Sequence, residues 1–447
     1  MTRHAITAIM LLGIMTCQSL AQPSGRYTGH IDVMGQQIEI EISITPGASG
    51  YTGQLSVPAQ GAYNLKMNSI RFDDPGLSFR VDTASTHMEF EGRYFAAGDS
   101  LSGVFRQSGY QGTFHLLSKE KEIHVEWIRE EVVFYNDTIK LAGTLSLPDT
   151  SRKYPAVILI SGSGQQDRDE NVMGFKIFQR LEELFIERDI AVLRYDDRGA
   201  GQSDQGDVEE ATSRDFAEDA RAAYRHLIGH PHIHADKIGM LGHSEGSIIA
   251  NMVANESDIA FVVMMAGPVM PGHELLLAQS RAVMQAEGHN GEVIQENLQT
   301  NRSIYQEVMK DAPDYGKVEG LLRDAFSRLD SSRREQVIDR QMEFLKSPWM
   351  KFFLQYDPAS AIAGSDHPIL ALFGRKDTQV PAEQNIRELR KIIQNSQQNN
   401  ITIITIEHAN HLFQRARTGS PSEYGKLEKE LVEGFGEKVT EWIREQI

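Results

Sequence analysis

Apolar and polar residues alternate over the first part of the chain, from residue 22 to about residue 118. In QQIEIEISIT, for example, isoleucine occupies every second position. This period predicts β-strands with one buried face. Glycines recur inside similar segments, such as YTGHI, FEGRY and LSGVF, and a glycine inside a strand marks a bulge or a tight bend. We therefore expect a small all-β domain over residues 22–118, built as a curled antiparallel sheet or an open barrel.

A different pattern begins after SKEKE, a polar joint at residues 118–122. Two strand-like segments, EEVVFYN and IKLAGTLSLP, come first, and continuous apolar runs then alternate with amphipathic helical segments. The runs are AVILISGSG, IAVLRYDDRG, KIGMLGHS, FVVMMAG, PILALFGRKD and ITIITIEHANH. Such strands are typical of a parallel sheet covered by helices on both faces. The pattern predicts an α/β domain over residues 119–447, with a doubly wound, mostly parallel sheet of eight strands.

A long segment rich in helix formers interrupts this alternation. About a hundred residues, 268–366, separate FVVMMAG from PILALFGRKD. A connection of that length is uncommon in a compact domain unless it has structure of its own. We therefore expect a helical cap inserted into the α/β domain.

The first residues of the chain indicate export. Arg3 precedes the apolar run AITAIMLLGIM, and Ser19 and Ala21 occupy the small-residue positions of a cleavage site. The run is too short to span about 30 Å of hydrocarbon. Residues 1–21 are therefore predicted to be a signal peptide cleaved near Ala21, which leaves a periplasmic or secreted protein without stable membrane insertion. Cys17, the only cysteine, would leave with this peptide, which excludes disulfides and thiol catalysis.

The charge of the chain narrows the classes of partner. The formal net charge is -17 over 447 residues, whereas a surface that binds nucleic acid needs an excess of basic residues. We therefore expect no nucleic-acid partner, and anionic membranes are disfavoured for the same reason. The pattern makes no prediction of oligomeric state.

The stretch GHSEG places a single serine between two glycines, where an apolar strand meets a helical segment. Glycine costs about 1 kcal/mol relative to alanine in a regular element, so Gly242 and Gly246 indicate a backbone with an unusual path. Such a path is required in a sharp strand-to-helix turn that exposes the Oγ of Ser244. The pattern is that of a nucleophile elbow. The alternative is a serine in an ordinary loop.

Further motifs follow in order along the chain. GHSEG, YDDRGAGQSD, GRKDTQVP and HANHLF each follow a predicted strand between Val157 and Phe413. With these motifs the chain resembles the α/β-hydrolase superfamily, in which a serine, an acid and a histidine occur in this order. GSGQQDRDE and PGHELLLAQ resemble a narrower group, the EstD-like bacterial serine carboxylesterases. The resemblance implies hydrolysis of small-molecule esters with short to medium acyl chains, through an acyl-enzyme and without a cofactor.

Other functions compete with this one. The same set of groups cleaves amides and thioesters, so a serine peptidase of aminopeptidase type or a thioesterase is the alternative. A hypothesis of another class makes the β domain a binding module for lipid or glycan, attached to a vestigial hydrolase. The complete series of motifs argues against that hypothesis.

Three residues receive catalytic roles. A serine hydroxyl needs a base to become a nucleophile, so Ser244 is paired with His411, and Asp377 orients the imidazole. Residues of the same types lie nearby and compete: His408, Asp366 and Glu407. His411 directly precedes the Leu-Phe pair of the family pattern. Asp366 precedes its strand, whereas sites in parallel sheets lie at the carboxyl ends of the strands.

Two main-chain donors are expected to bind the developing oxyanion. One is the N–H of Glu245, at the start of the helix that follows the turn. By analogy with the family, the other comes from SGSGQQDRDEN, with Ser163 as the donor and Gly164 as the fallback. The side chain of Glu245 is expected to be a buried partner for an arginine such as Arg198.

No metal ion is expected. Three residues have the spacing of a calcium-binding loop: Asp167, Asp169 and Asn171. Val172 and Phe178 occupy the positions where such a loop needs glycine and glutamate, so this interpretation is rejected. His232 and His234 in HPHIH are interpreted as part of a solvated turn rather than as metal ligands.

Overall fold

The computed structural model describes residues 23–33, 36–47, 50–57, 62–73, 75–83, 87–95, 100–119, 127–396 and 399–447. Within these ranges the chain forms two compact units, one before residue 125 and one from residue 125 onward. The predicted signal peptide, residues 1–21 with Cys17, lies outside the described residues. Among the helices that are described, none has both the length and the apolar character needed to cross a membrane.

The first unit is an antiparallel barrel. Its described strands are β1 Gly25–Val33, β2 Gln36–Gly47, β3 Gly50–Val57, β4 Ala62–Asp73, β5 Gly76–Asp82, β6 His87–Phe95, β7 Ser100–Gln107 and β8 Tyr110–Lys119. Each strand pairs with the next, and β1 also pairs with β8, so the barrel is closed. The prediction of an all-β domain is confirmed. The prediction that the sheet stays open is wrong, because its first and last strands pair over most of their length.

Side chains fill the interior of this barrel. Two of the alternating isoleucines of β2, Ile40 and Ile42, are completely buried. The rings of Phe79 and Phe90 stack inside, with their centroids 4.4 Å apart. The interior is therefore a packed apolar core, as expected for a small barrel.

Glycines allow neighbouring strands of the barrel to come close. Gly92 on β6 lies opposite Gly103 on β7. A Cβ atom on Gly92 would lie 2.2 Å from the main-chain oxygen of Ser102, a distance that no side chain tolerates. The glycines inside the strand patterns are thus required by the curvature of the wall.

The second unit contains an eight-stranded sheet within the described residues. Its strands are β9 Ile128–Asn136, β10 Ile139–Leu147, β11 Tyr154–Ile160, β14 Ala191–Tyr195, β15 Ile233–His243, β16 Val262–Met265, β17 Ile369–Gly374 and β18 Ile401–Ile406. A short hairpin, β12 Asn171–Val172 with β13 Phe175–Lys176, follows β11 in the chain. The order across the sheet is β9-β10-β14-β11-β15-β16-β17-β18. The pairs β9–β10 and β10–β14 are antiparallel, and the other pairs are parallel.

Helices cover both faces of this sheet because its central strands are apolar on both sides. The helices outside the inserted segment are α1 Ile177–Ile186, α2 Ser213–Ile228, α3 Glu245–Ala254, α10 Ala382–Ser396 and α11 Phe435–Gln446. On β11, Ile158 packs into one apolar cluster and Val157 into the cluster on the opposite face. The parallel strands then place their carboxyl ends, and the loops that follow, along one edge of the sheet.

Between β16 and β17 the chain forms a helical segment. It contains α4 Gly272–Ala286, α5 Gly291–Val308, α6 Tyr315–Ala325, α7 Ser331–Lys346, α8 Pro348–Gln355 and α9 Ala359–Ala363. The segment has its own apolar cluster, in which Val308 and Leu354 are completely buried. Leu275 on α4 and Phe353 on α8 join the core of the sheet instead. These two helices therefore connect the insertion to the rest of the second unit.

Replacement of Gly92 by valine is expected to destabilise the first unit. The added side chain would overlap the main chain of β7 and should cost about 1–3 kcal/mol of unfolding free energy. Glu89→Val, at an exposed position of the same strand, is the matched control. Calorimetry of the full chain should show a lower transition temperature for Gly92→Val alone, and coincident curves for the two variants would contradict the close contact.

Candidate active site

Ser244 lies in a strained turn between β15 and α3. Its φ of 53° and ψ of -119° place it outside the conformations that non-glycine residues ordinarily adopt. The turn is held because the main-chain N–H of Ser244 donates to the oxygen of Met265, 2.9 Å away, at the end of β16. Backbone strain of this kind persists where the surrounding structure enforces it, and it is concentrated at functional sites.

The two glycines of GHSEG are needed because α3 packs directly against the ends of two strands. A Cβ atom on Gly242 would lie 2.0 Å from the main-chain oxygen of Gly246. A Cβ atom on Gly246 would lie 2.1 Å from the oxygen of Ile160, at the end of β11. Any larger residue at either position would push the helix away and change the turn that carries Ser244.

His411 and Asp377 meet at the same edge of the sheet, after β18 and β17. The Nδ1 of His411 lies 2.8 Å from Asp377 Oδ2. Asp377 Oδ1 accepts the main-chain N–H groups of Gln379 and Val380 at 2.8 and 2.9 Å. Both side chains are buried. Because the carboxylate accepts a hydrogen bond from the Nδ1–H of His411, Nε2 is left with a lone pair and can act as a base.

Ser244 and His411 line one cavity of about 330 Å³. Their side chains are not hydrogen-bonded to each other in this structure; such bonds are often long before substrate binds and shorten in the reacting complex. Apolar side chains form much of the remaining wall: Pro268, Leu275, Leu276, Trp349, Phe353 and Leu412. The rings of Trp349 and Phe353, both on α8, stack with centroids 5.0 Å apart. The inserted helices therefore supply an aromatic wall beside the serine.

Ser163, the predicted oxyanion donor, lies in the loop after β11. Ser163 lines the cavity together with Ser244, and in the described chain its main-chain N–H has no protein acceptor. The N–H of Gly162 already donates to Glu170 Oε1 at 2.8 Å. Gly164 lines a separate space of about 10 Å³. The geometry favours Ser163 over Gly164, with the N–H of Glu245, which has no intrahelical acceptor at the first turn of α3, as the second donor.

Two aspartates that directly follow β14 hold this loop through hydrogen bonds. Asp197 accepts hydrogen bonds from Ser161 Oγ at 2.7 Å and from the N–H of Gln166 at 3.0 Å. Burial raises the pKa of Asp197 to about 8, although the hydrogen bond from Ser161 opposes this shift. The guanidinium of Arg168 donates to Asp196 at 2.8 Å. Hydrogen bonds to the two aspartates thus hold the loop in place.

The side chain of Glu245 has partners other than the expected arginine. Its Oε1 accepts hydrogen bonds from Ser213 Oγ at 2.6 Å and from Trp349 Nε1 at 2.8 Å. Burial raises the pKa of this carboxyl, although its hydrogen bonds oppose the shift. Arg198 pairs instead with Asp219, with 2.7 Å between Nε and Oδ2. The expectation was wrong because Trp349 lies 104 residues from Glu245 in the chain, and only packing of the insertion brings it there.

The competing residues lie away from the cavity. His408 and Glu407 are exposed, and Glu407 pairs with Arg375 at 3.4 Å. Asp366 is exposed and precedes β17. Across the described ranges, no group of three or more His, Cys, Asp or Glu side chains is arranged to hold a metal ion.

Sequence analysis missed two residues that contact the site, His243 and Glu170. The Nδ1 of His243 lies 2.8 Å from Glu170 Oε1, and its Nε2 lies 3.0 Å from the main-chain oxygen of His411. Both belong to motifs that carry the family resemblance, GHSEG and GSGQQDRDE, and this was the available signal. Their pairing spans 73 residues, so the motifs by themselves did not indicate it.

Comparison with known proteins finds a curated relative over most of the chain. Among curated proteins, the Esterase EstD of Thermotoga maritima is 26% identical over 397 residues, which cover 86% of this chain and 80% of that protein. The resemblance to EstD-like esterases is thereby confirmed.

Two solved structures are similar at lower identity. The esterase Pf2001 of Pyrococcus furiosus is 14% identical with a TM-score of 0.45, over 74% of this chain and 95% of that chain. Est1E from Butyrivibrio proteoclasticus, solved with ferulic acid bound, is 18% identical with a TM-score of 0.40, over 70% of this chain and 96% of that chain.

A family model described as X-Pro dipeptidyl-peptidase (S15 family) matches residues 137–412. The matched segment includes Ser244, Asp377 and His411 and extends over the inserted helices. Because it covers more than half of the chain, the chain belongs to the X-Pro dipeptidyl-peptidase (S15) family.

Proposed function

We propose that the chain is an exported serine hydrolase that cleaves carboxylic esters with short to medium acyl chains through an acyl-enzyme. The observation that carries this proposal is the cavity itself. A half-buried serine in a strained turn and a histidine oriented by a buried aspartate line the same apolar space. The similarity to a relative named as an esterase supports the same reaction class.

The first half of the reaction forms the acyl-enzyme. Ser244 Oγ attacks the carbonyl carbon of the ester while Nε2 of His411 takes the hydroxyl proton. The negative charge that develops on the carbonyl oxygen is stabilised by the main-chain N–H groups of Glu245 and Ser163. The bond to the alcohol oxygen then breaks, and His411 returns the proton to the departing alcohol.

The second half releases the acid. A water molecule attacks the acyl carbon and loses its proton to His411, which passes it to Ser244 Oγ as the ester bond to the serine breaks. Throughout, Asp377 stays ionised and stabilises the imidazolium form of His411.

The cavity lining favours a neutral ester over an X-Pro peptide. A peptidase that removes an N-terminal dipeptide must accommodate a protonated amine, which requires an acceptor carboxylate if it is buried. In the described lining, the carboxylate is that of Glu170. Its Oε1 already binds His243 and Gly162, and its Oε2 is buried and does not reach the cavity surface. A volume of about 330 Å³ is small for a ligand site, which suits short to medium acyl chains.

The helical segment 268–366 is proposed to act as a cap that sets this preference. It contributes Trp349 and Phe353 to the cavity wall, and the indole N–H of Trp349 is anchored on Glu245. The acyl chain would therefore lie against α8.

Paired substitutions test the assignment of the catalytic groups. Ser244→Ala, His411→Gln and Asp377→Asn are each expected to lower kcat for p-nitrophenyl butyrate by about 10⁴-fold or more. His408→Gln and Glu407→Gln change the exposed residues of the same loop and are expected to leave kcat near the value of the unaltered protein. A fluorophosphonate should label Ser244 in the unaltered protein, as located by peptide mass spectrometry. Full turnover by Ser244→Ala would refute the mechanism.

A substrate series separates esterase from peptidase. We expect kcat/KM to be greatest for short to medium acyl chains among p-nitrophenyl acetate through decanoate. For glycyl-proline p-nitroanilide it should be lower by about 100-fold or more, since burial of an unpaired ammonium costs several kcal/mol. A higher kcat/KM for the anilide than for every ester would assign the chain to the peptidases.

A further inference from the structure

His243, the residue directly before Ser244, is 2% exposed and has hydrogen-bond partners at both ring nitrogens. Nδ1 lies 2.8 Å from Glu170 Oε1, and Nε2 lies 3.0 Å from the main-chain oxygen of His411. A carboxylate and a carbonyl oxygen can only accept hydrogen bonds. With Glu170 as a carboxylate, both ring nitrogens donate, and the ring is assigned as an imidazolium.

The electrostatics of the pocket agree with this protonation state. Burial lowers the pKa of His243, but the charge of Glu170 and the hydrogen bonds to Glu170 and to the His411 oxygen outweigh it, so the pKa is raised above its ordinary value. The titratable groups that face His243 are Glu170 after β11, Asp377 after β17 and His411 after β18.

Glu170 also binds the residue next to Ser163, the proposed oxyanion donor. Its Oε1 also accepts the N–H of Gly162 at 2.8 Å, next to Ser163. A Cβ atom on Gly162 would lie 3.2 Å from Glu170 Oε1 and 3.3 Å from Ser244 Cβ. The glutamate and the serine thus both lie close to this residue.

The position of Glu170 carries a cost in stability. Its φ is 46°, in the left-handed region that non-glycine residues avoid. Its Oε2 is buried and has no hydrogen-bond partner among the described residues. Strained backbone and unsatisfied buried polar atoms are found mainly where function requires them.

We propose that His243 and Glu170 are a positioning pair that fixes two loops relative to Ser244. One is the loop after β18 that carries His411, called the His411 loop; the other is the loop at residues 161–170 that carries Ser163, called the oxyanion loop. The inference rests on the proposed esterase mechanism. A continuous chain of contacts runs from the Gly162 N–H through Glu170 and His243 to the His411 oxygen. The rings of His243 and His411 also pack together, with centroids 4.8 Å apart.

Two consequences follow from this arrangement. First, loss of the pair moves the base and an oxyanion donor, and a misplacement of about 1 Å can cost about 100-fold in rate. Second, loss of one proton from His243 at alkaline pH removes a donor either from Glu170 or from the His411 oxygen. The alkaline limb of the pH profile should therefore report the titration of His243.

Substitutions of His243 test the first consequence. His243→Gln can place an amide N–H near the former Nε2, toward the His411 oxygen, whereas His243→Asn can place one near Nδ1, toward Glu170. Both variants should lower kcat for p-nitrophenyl butyrate by about 10–100-fold with KM changed by less than about twofold. His243→Gln should keep the greater kcat because it retains the contact with the His411 loop. His230→Gln breaks another histidine–glutamate pair, with Glu130 at 3.1 Å, and is the matched control with unchanged kcat.

Glu170→Gln tests the second consequence without altering the histidine. Its amide oxygen can still accept the Gly162 N–H, but the negative charge is gone, so the pKa of His243 falls. The alkaline limb of kcat/KM should move to lower pH. A purely structural role would lower the melting temperature and leave the limb in place, and that result overturns the proposal, as does unchanged kcat in both His243 variants. If the His243 variants do not fold, the Glu170→Gln profile decides alone.

The parent mechanism is tested separately by Ser244→Ala. Full turnover by Ser244→Ala refutes the proposed function itself. An inactive Ser244→Ala with unaltered kinetics in the His243 and Glu170 variants refutes the positioning pair alone.

Discussion

The close packing of α3 against the ends of β11 and β15 is the constraint on which the site depends. It leaves no room for a Cβ atom at Gly242 or Gly246, and it forces the residue between them into a positive φ. The strained residue is Ser244, so the contact that holds the sheet and helix together also exposes the hydroxyl. The main-chain N–H of Glu245, at the start of the same helix, is left free by the same geometry.

Burial disfavours the charged form of two groups around this turn, and their neighbours decide the outcome. Asp197 has neutral hydrogen-bond donors, and burial raises its pKa to about 8. His243 is 2% exposed, yet the contact with the carboxylate of Glu170 outweighs the effect of burial, and its pKa is raised above the ordinary value. Burial alone therefore does not decide protonation; an opposite charge in contact does. Residues of the oxyanion loop bind both groups. Ser161 and Gln166 donate to Asp197, and Glu170 pairs with His243.

The serine, the acid and the histidine come from a different part of the second unit than the aromatic wall of the cavity. The family match spans the sheet, its loops and the inserted helices. The three residues follow strands of the sheet, whereas Trp349 and Phe353 on α8 of the inserted segment supply an apolar, aromatic wall of the same cavity. A change in the inserted helices can therefore alter this wall while the strands keep the serine, the acid and the histidine in place.

Features that depend on residues close together in the chain could be predicted from the sequence. Alternation with period two predicted the strands of the first unit, and the order of motifs after apolar runs placed Ser244, Asp377 and His411 at one edge of a sheet. Three contacts could be seen only in the folded chain: the closure of the barrel through β1 and β8, the contact between Glu245 and Trp349, and the pairing of His243 with Glu170. The difference arises from the distance along the chain between interacting residues. Periodicity indicates which face of one element is buried, whereas a partner from a distant part of the chain depends on how all the elements pack together.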